Sequence, residues 1–296
     1  MPIIQSGNIT AHPTGGGGHP NESRPPLQPP RPQPPPVTIR PKPESLDRRI
    51  RNLEALGNGV FVGNVLASYM ALPGLVGFWP MSSVQRSTGN AYDLSGQGRT
   101  LTYNDNPAYT YYNGLVPYID LDGTGDFLSR ATETDLDIQG SETIFTTGAA
   151  GLTMGGWFWA DATADPTLIS KHDNATATNS SYMLDISSGL TRMIVYNAST
   201  GYSVSGEALT IGVWYFIVGR FVPSTSVDLW VNATKTSNTT SIAASLNATT
   251  PPFQIGARNS AALLNGRASM VFLCANALGD DLISSLFQAS RVLFGI

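Results

Sequence analysis

From Gly74 to Ile296 the hydrophobic residues come in short runs separated by Gly, Asn, Asp, Ser and Thr. Trp214–Val222 and Val227–Val231 are β-branched and aromatic on either side of Pro-Ser-Thr-Ser, which predicts a hairpin. LTMGGWFWA, residues 152–160, predicts a strand, and YMLDIS with RMIVYN predicts the next pair. Helical spacing appears in GDDLISSLFQASRVL, where Asp280 and Asp281 favour the positive end of the helix. Many short strands between turn residues predict an all-β sandwich or jelly roll.

Upstream the pattern changes twice. In ESLDRRIRNLEALGNG, Ser45 is a candidate N-cap and Gly57 a C-terminal stop. Leu46, Ile50 and Leu53 are spaced four then three, as in a heptad seam. A helix of about twelve residues is marginal alone in water. RIRNLE, Arg49 to Glu54, resembles the Arg-h-x-x-h-Glu trimerisation motif of short parallel coiled coils. That resemblance implies a homotrimer in which Arg49 and Glu54 pair between chains while Ile50 and Leu53 fill the seam. The alternative is a lone amphipathic helix packed on the body. Residues 60–73 either continue this stem or pack beneath the following domain. Residues 24–43 are half proline and carry Arg24, Arg31, Arg40 and Lys42. Such a stretch favours extended polyproline II at about 3.1 Å per residue. The chain therefore divides into an extended anchor arm at 1–43, a helical stem and connector at 44–73, and a sandwich at 74–296.

Charge sharpens this division. The net charge of −4 is unevenly spread. Residues 1–43 carry four basic residues against Glu22, while ten basic and seventeen acidic residues follow from Gly57 onward. A basic arm on an acidic body is suited to docking on an acidic partner, and the body is a poor nucleic-acid binder. The single cysteine, Cys274, excludes an intrachain disulfide framework and sits in an apolar run as a core residue. No stretch has the pattern of a signal peptide, and none approaches the length of a membrane span. Asn-X-Ser/Thr triplets start at Asn8, Asn21, Asn174, Asn179, Asn197, Asn232, Asn238 and Asn247. We read them as a consequence of Asn-, Ser- and Thr-rich composition.

The ordered motifs of residues 74–296 resemble the laminin-G-like, concanavalin-A-like sandwich domains. GLVGFWPM, with Trp79, is similar to the first strand of that family. AYDLSGQGRTLT is similar to its Asp-x-Ser-Gly-x-Gly turn, at Asp93, Ser95, Gly96 and Gly98. YIDLDGTGDFLS looks like its Asp-Gly-x-Gly-Asp-aromatic turn, at Asp122, Gly123, Gly125, Asp126 and Phe127. LTMGGWFWA matches the strand with a core Trp, here Trp157, and VWYFIVGRF…VDLWVNA matches the central hairpin, with Asn232-Ala233 where Asn-Gly is usual. The resemblance implies a concanavalin-A-like jelly roll, a fold that hosts lectins, hydrolases and passive spacers.

Catalytic candidates are weak. Asp135, Asp137 and Glu142 do not share one strand face, as the paired carboxylates of a glucanase must. His12, His19 and His172 accompany no nucleophile elbow. No enzyme is expected. Asp93, Asp122 and Asp126 either contribute to a Ca²⁺ site or hydrogen-bond the amides of their own turns. No other cofactor is expected. Tyr109, Tyr111 and Tyr112 in NPAYTYYNG form a candidate stacking platform for host surface glycans, or pack over the sandwich edge. The order arm, stem and head resembles phage head fibres and capsid decoration proteins. It implies a virion-surface protein anchored to a capsid or other virion protein through residues 1–43. A free extracellular or cell-surface lectin is the alternative.

Overall fold

The structure is a computed structural model, and it describes residues 62–81, 89–131, 136–140 and 150–296. The proposed arm residues Arg24, Arg31, Arg40 and Lys42 lie outside the described residues, as do the stem residues Leu46, Arg49, Ile50, Leu53 and Glu54. Asp135 and Glu142 also lie outside them.

Two antiparallel sheets face each other, as the sequence pattern predicts. The first contains β1 (Leu75–Trp79), β4 (Ala108–Tyr112), β5 (Val116–Asp122), β7 (Leu152–Ala160), β12 (Trp214–Val222), β13 (Ser226–Val231), β14 (Thr234–Asn238) and β16 (Asn265–Cys274). Their order is β14-β13-β12-β7-β16-β5-β4, with β1 also on β16. The second contains β2 (Asn90–Ala91), β3 (Leu101–Asn104), β6 (Phe127–Arg130), β8 (Thr167–Lys171), β9 (Tyr182–Ser187), β10 (Leu190–Asn197), β11 (Thr200–Ala208) and β15 (Phe253–Ile255). These run in the order β11-β10-β9-β8-β15-β6-β3-β2. The chain changes sheet at β1–β2, β3–β4, β5–β6, β6–β7, β7–β8, β11–β12, β14–β15 and β15–β16, which gives the jelly-roll winding.

Phe158, Ile217, Leu229 and Leu273 of the first sheet meet Tyr182, Leu184, Val195 and Ile255 of the second in the inter-sheet core. The alternate positions Trp157, Phe216, Val218 and Phe272 point the other way, yet they too are buried. That outer face is covered by α1, a helix over residues 62–70, by α2 (Asp280–Ser290) and by the turn Arg291–Phe294. Burial on both faces is why β7 and β12 read as almost unbroken apolar runs. At Gly155 the adjacent strand β12 comes so close that an added Cβ would stand 2.5 Å from the Ile217 carbonyl oxygen.

Val65, Tyr69 and Leu72 are buried, so residues 62–73 pack on the sandwich. The Tyr69 ring stacks on Phe78 at 5.0 Å and meets Phe272 edge-on at 5.6 Å. Ser290 Oγ gathers the parts. It accepts from Trp157 Nε1 at 3.0 Å, donates to the Leu286 carbonyl at 2.6 Å, and lies 3.5 Å from the Tyr69 hydroxyl. Cys274 is buried in the same cluster, and burial pushes its thiol pKa up, as befits a core residue.

Buried charges are paired. Arg220 Nε and Nη2 both donate to Asp228 Oδ2, at 2.9 and 2.7 Å, and Ser226 Oγ adds a third donor at 2.9 Å. Lys171 Nζ donates to the carbonyls of Thr249 at 2.8 Å and Pro251 at 3.0 Å, and faces Asp137 at 3.7 Å. Asparagine side chains hold several turns. Asn197 Nδ2 donates to the Ser245 carbonyl, Asn238 Nδ2 to that of Ser203, and Asn247 Nδ2 to those of Ser180 and Ala198. Asn179 Nδ2 donates to Asp173, and Asn232 Oδ1 accepts from the Phe216 amide.

His172 has no such partner among the described residues. It is 7% exposed and edge-on to Tyr196 at 5.1 Å, and neither ring nitrogen has a hydrogen-bond partner among the described residues. Burial, reinforced by Arg258 and Arg192 and opposed by Asp173, lowers its pKa from 6.5 to about 4. The folded state thus prefers the neutral ring. This contribution is complete above pH 6.5 and is lost as the pH falls toward 4.

Two measurements follow. Urea unfolding of Tyr69→Ala should show a loss of about 3 kcal/mol, the cost of removing a buried aromatic anchor; an unchanged midpoint would mean that α1 does not contribute to the sandwich. Acid titration of the unfolding free energy should show a loss of up to about 3 kcal/mol from His172 over the interval between its two pKa values. His172→Phe, which keeps a ring against Tyr196, should flatten that part of the curve.

Candidate functional site

The β3–β4 connection carries the chain from the second sheet to the first, at the edge where β4 ends one sheet and β2 ends the other. Strand alternation turns Tyr103 on β3 and Tyr109 on β4 toward the space between the sheets, where both pack on the core. Because this is an edge, the core is incomplete there. A cavity of 330 Å³ remains, lined by Gly89, Tyr103, Asp105, Asn106, Pro107, Ala108 and Tyr109. The hydroxyls of Tyr103 and Tyr109 are both buried, and neither has a hydrogen-bond partner among the described residues. An orphaned buried hydroxyl costs about 1–3 kcal/mol, so such groups normally meet a water or a ligand. Burial, with Tyr111 and Tyr103 close by, pushes the Tyr109 pKa far up, so its phenol remains a hydrogen-bond donor.

The loop over the cavity is held by the neighbouring turn. Asp126 Oδ1 accepts from the Asn106 amide at 3.0 Å, and its Oδ2 from the Asp122 amide at 3.3 Å. Asp105 adopts a left-handed backbone, φ 59°. Its carboxylate lies against Gly125, where a Cβ would stand 2.4 Å from Oδ2 and displace the side chain. Asp126 is 5% exposed, and burial raises its pKa, with Asp122 and Asp105 adding to the rise against the Asn106 hydrogen bond.

Beyond Asn106 and Ala108 the surface opens into a trough of 440 Å³ that also includes Asp120, Leu121, Asp122, Asp126, Asp161 and Asn265. Burial raises the Asp120 pKa, Arg267 counters it, and Asp161 adds to the rise. Arg267 Nε is 3.5 Å from Asp120 Oδ1, and its guanidinium lies over the rings of Trp159 at 4.5 Å and Tyr118 at 5.3 Å. Trp159 Nε1 donates to Asp161 Oδ1 at 2.9 Å.

The structure divides the tyrosine trio. Tyr109 is buried under the cavity, and Tyr111, on the same side of β4, is 43% exposed. Tyr112 faces the opposite side and stacks with Phe294 at 6.4 Å. A single stacking platform of all three is therefore not formed, because consecutive strand residues point to opposite faces. Tyr103, Asp105 and Asn106, which the sequence reading missed, complete the cavity instead. Their only sequence signal was the turn-like Asn-Asp-Asn-Pro beside two tyrosines.

The three aspartates considered for Ca²⁺ serve their turns. Asp93 accepts from the amides of Phe78, Ser95 and Arg99 at 2.8–2.9 Å. Asp122 accepts from the Thr124 amide and hydroxyl, which lowers its pKa. Among the described residues no three or more His, Cys, Asp or Glu side chains converge as metal ligands. Asp137 accepts from the Thr249 amide at 2.9 Å, which occupies it in loop structure.

Residues 132–284 match the family model described as the Concanavalin A-like lectin/glucanases superfamily. No curated protein matches the chain. Among solved structures, the chain is similar to the binding domain of Paraclostridial Mosquitocidal Protein 1, with TM-score 0.55 and 14% identity over 72% of this chain and 52% of that one. It is also similar to the receptor binding domain of botulinum neurotoxin C/D mosaic serotype, with TM-score 0.56 and 11% identity over 75% of this chain and 54% of that one. A third is a structure of botulinum neurotoxin type C described as depending on two ganglioside molecules for cell entry, with TM-score 0.51 and 12% identity over 76% and 52%. The chain thus spans about half the length of these structures, and the likeness is one of fold.

Proposed function

Because the chain belongs to the concanavalin A-like lectin/glucanase superfamily, we propose that it is a non-catalytic adhesion module whose sandwich binds a glycan in the β3–β4 cleft. The observation that carries this reading is a 330 Å³ cavity at the sheet edge, lined by Tyr103, Asp105, Asn106 and Tyr109, whose tyrosine hydroxyls have no hydrogen-bond partner among the described residues. That volume suits a single sugar ring rather than an extended chain, being at the low end of the 300–1,000 Å³ typical of small-molecule sites. Phenol donors, the Asp105 carboxylate and the Asn106 amide match the alternating donors and acceptors of sugar hydroxyls. The receptor-binding and ganglioside descriptions of similar structures support attachment as a use of this fold.

Presentation of the sandwich is the second half of the proposal. Residues 1–43, basic and proline-rich, anchor it to an acidic partner on a larger assembly, and the module order favours a virion surface. Leu46, Arg49, Ile50, Leu53 and Glu54 join three chains at a stem.

Binding is tested by screening the whole chain on immobilised glycans and titrating the hits by calorimetry. The Tyr103→Phe/Tyr109→Phe pair should fold with equal or greater stability, since it removes orphaned hydroxyls, while losing about tenfold or more in affinity. Retained affinity in that variant would remove the cleft from consideration. Light scattering of the whole chain beside one starting at Gly59, which keeps α1, should give a threefold mass for the former and a monomer for the latter. Monomers in both would overturn the trimeric stem.

A further inference from the structure

We propose that residues 257–262 form a strap over the outer face of the second sheet, latched at neutral pH and released by protonation of His172. The proposal is independent of the glycan reading of the cleft. Strand alternation turns Ser170 on β8, Met183 on β9, Ile194 on β10 and Gln254 on β15 to one face, and they lie in register across the sheet. After β15 the chain folds back over this face. Ser170 Oγ donates to the Ala257 carbonyl at 2.7 Å, Gln254 Oε1 accepts from the Ser260 amide at 3.1 Å, and Arg258 Nη1 lies 4.0 Å from Met183 Sδ. Ser170, Met183 and Gln254 are all buried. The strap turns tightly, since Arg258 and Ala261 exchange backbone hydrogen bonds at 2.9 and 2.8 Å. Asn259, Ser260 and Ala262 hold left-handed backbones, at φ 43°, 59° and 48°. None of them is glycine, so the strap carries strain that the contacts beneath it must offset.

Tyr196, two residues after Ile194 on β10, extends this face to His172, whose ring meets it edge-on at 5.1 Å. His172 directly follows β8, and Lys171 before it points to the other side, toward Asp137. Arg258 of the strap and Arg192 of β10 bear on the His172 ring as cations, and Asp173 on its own loop as an anion. Arg192 is bound at Nε and Nη2 by Asp185 of β9. Asp173 accepts from the Ala175 amide and from Asn259 Nδ2 of the strap. Among the described residues, neither His172 nitrogen and not the Arg258 Nε has a hydrogen-bond partner. A proton on His172 therefore places a second positive charge beside Arg258 with no acceptor to receive it, and lifting the strap returns both to water. Burial, with Arg258 and Arg192, lowers the ring pKa from 6.5 to about 4 in the latched state. The preference for the latched state is complete above pH 6.5 and is lost as the pH falls toward 4.

The experiment measures amide hydrogen exchange of the whole chain by mass spectrometry at pH 7 and pH 5, with rates corrected to one intrinsic scale. Peptides covering residues 256–264 should show an opening constant about twentyfold larger at the lower pH, as the two pKa values require. Peptides from β12 should keep their protection. In His172→Phe, which retains a ring against Tyr196, the rise should shrink to less than about twofold. Arg258→Met keeps an apolar stem beside Met183 and removes the opposing cation, and its rise should be smaller than that of the unaltered chain. An equal opening constant at the two pH values would overturn the latch, as would a full rise in either variant. A rise shared by β12 would mean acid unfolding of the whole sandwich, and would overturn a local switch.

Discussion

The first sheet is buried on both faces, and most of the architecture follows from that constraint. A sheet covered only by its partner sheet needs apolar residues at every second position. Here the outward set, Trp157, Phe216, Val218 and Phe272, is apolar as well and has to be kept from water. α1, α2 and the C-terminal turn provide the cover, and Ser290 joins them by bonding to Trp157 and the α2 backbone beside Tyr69. The charges at the rim of this layer are similarly bound. Arg220 reaches Asp228, Asp280 and the Leu278 carbonyl at once, which satisfies a guanidinium that burial would otherwise make costly.

The opposite situation holds at the β3–β4 edge. There the sheets run out of strands before the core is full, and two tyrosines have buried hydroxyls with no partner among the described residues. Phenylalanine would meet the packing requirement without that penalty. This departure from the best packing, beside a cavity, accords with the binding role proposed for the edge. The surrounding loop is also fixed in advance, since Asp126 ties Asn106 to the Asp122 turn. The proposed ligand would therefore meet a surface already tied to the neighbouring turn, at little ordering cost.

Much of the fold was legible in the amino-acid sequence, because the doubly buried strands make long apolar runs that turn residues punctuate cleanly. LTMGGWFWA coincides with β7, and Pro-Ser-Thr-Ser with the β12–β13 turn. The terminal helix was legible from its apolar spacing. The docking of residues 62–73 was not, because an apolar stretch reads alike whether it meets its own sheet or another chain. The site was least legible. Tyr109 was picked out for an exposed role and is buried, while Tyr103 went unnoticed six positions earlier. Their meeting depends on two sheets stacking, a relation that local periodicity does not encode. The aspartate turns were legible only in part: Asp122 bonds within its own turn, while Asp93 and Asp126 also accept from Phe78 and Asn106, 15 and 20 residues away, which Asp-x-Ser-Gly and Asp-Gly-x-Gly do not encode.

The asparagine turns bear on where such a protein can be made. Asn179, Asn197, Asn238 and Asn247 each begin an Asn-X-Ser/Thr triplet. Each also donates from Nδ2, the atom to which an N-linked sugar would be joined, into a hydrogen bond that holds a turn. Modification would consume a donor hydrogen and force a bulky group into each of these contacts. Passage through a eukaryotic secretory pathway would thus oppose the folding of the sandwich, and production in a host without that machinery leaves its turns intact.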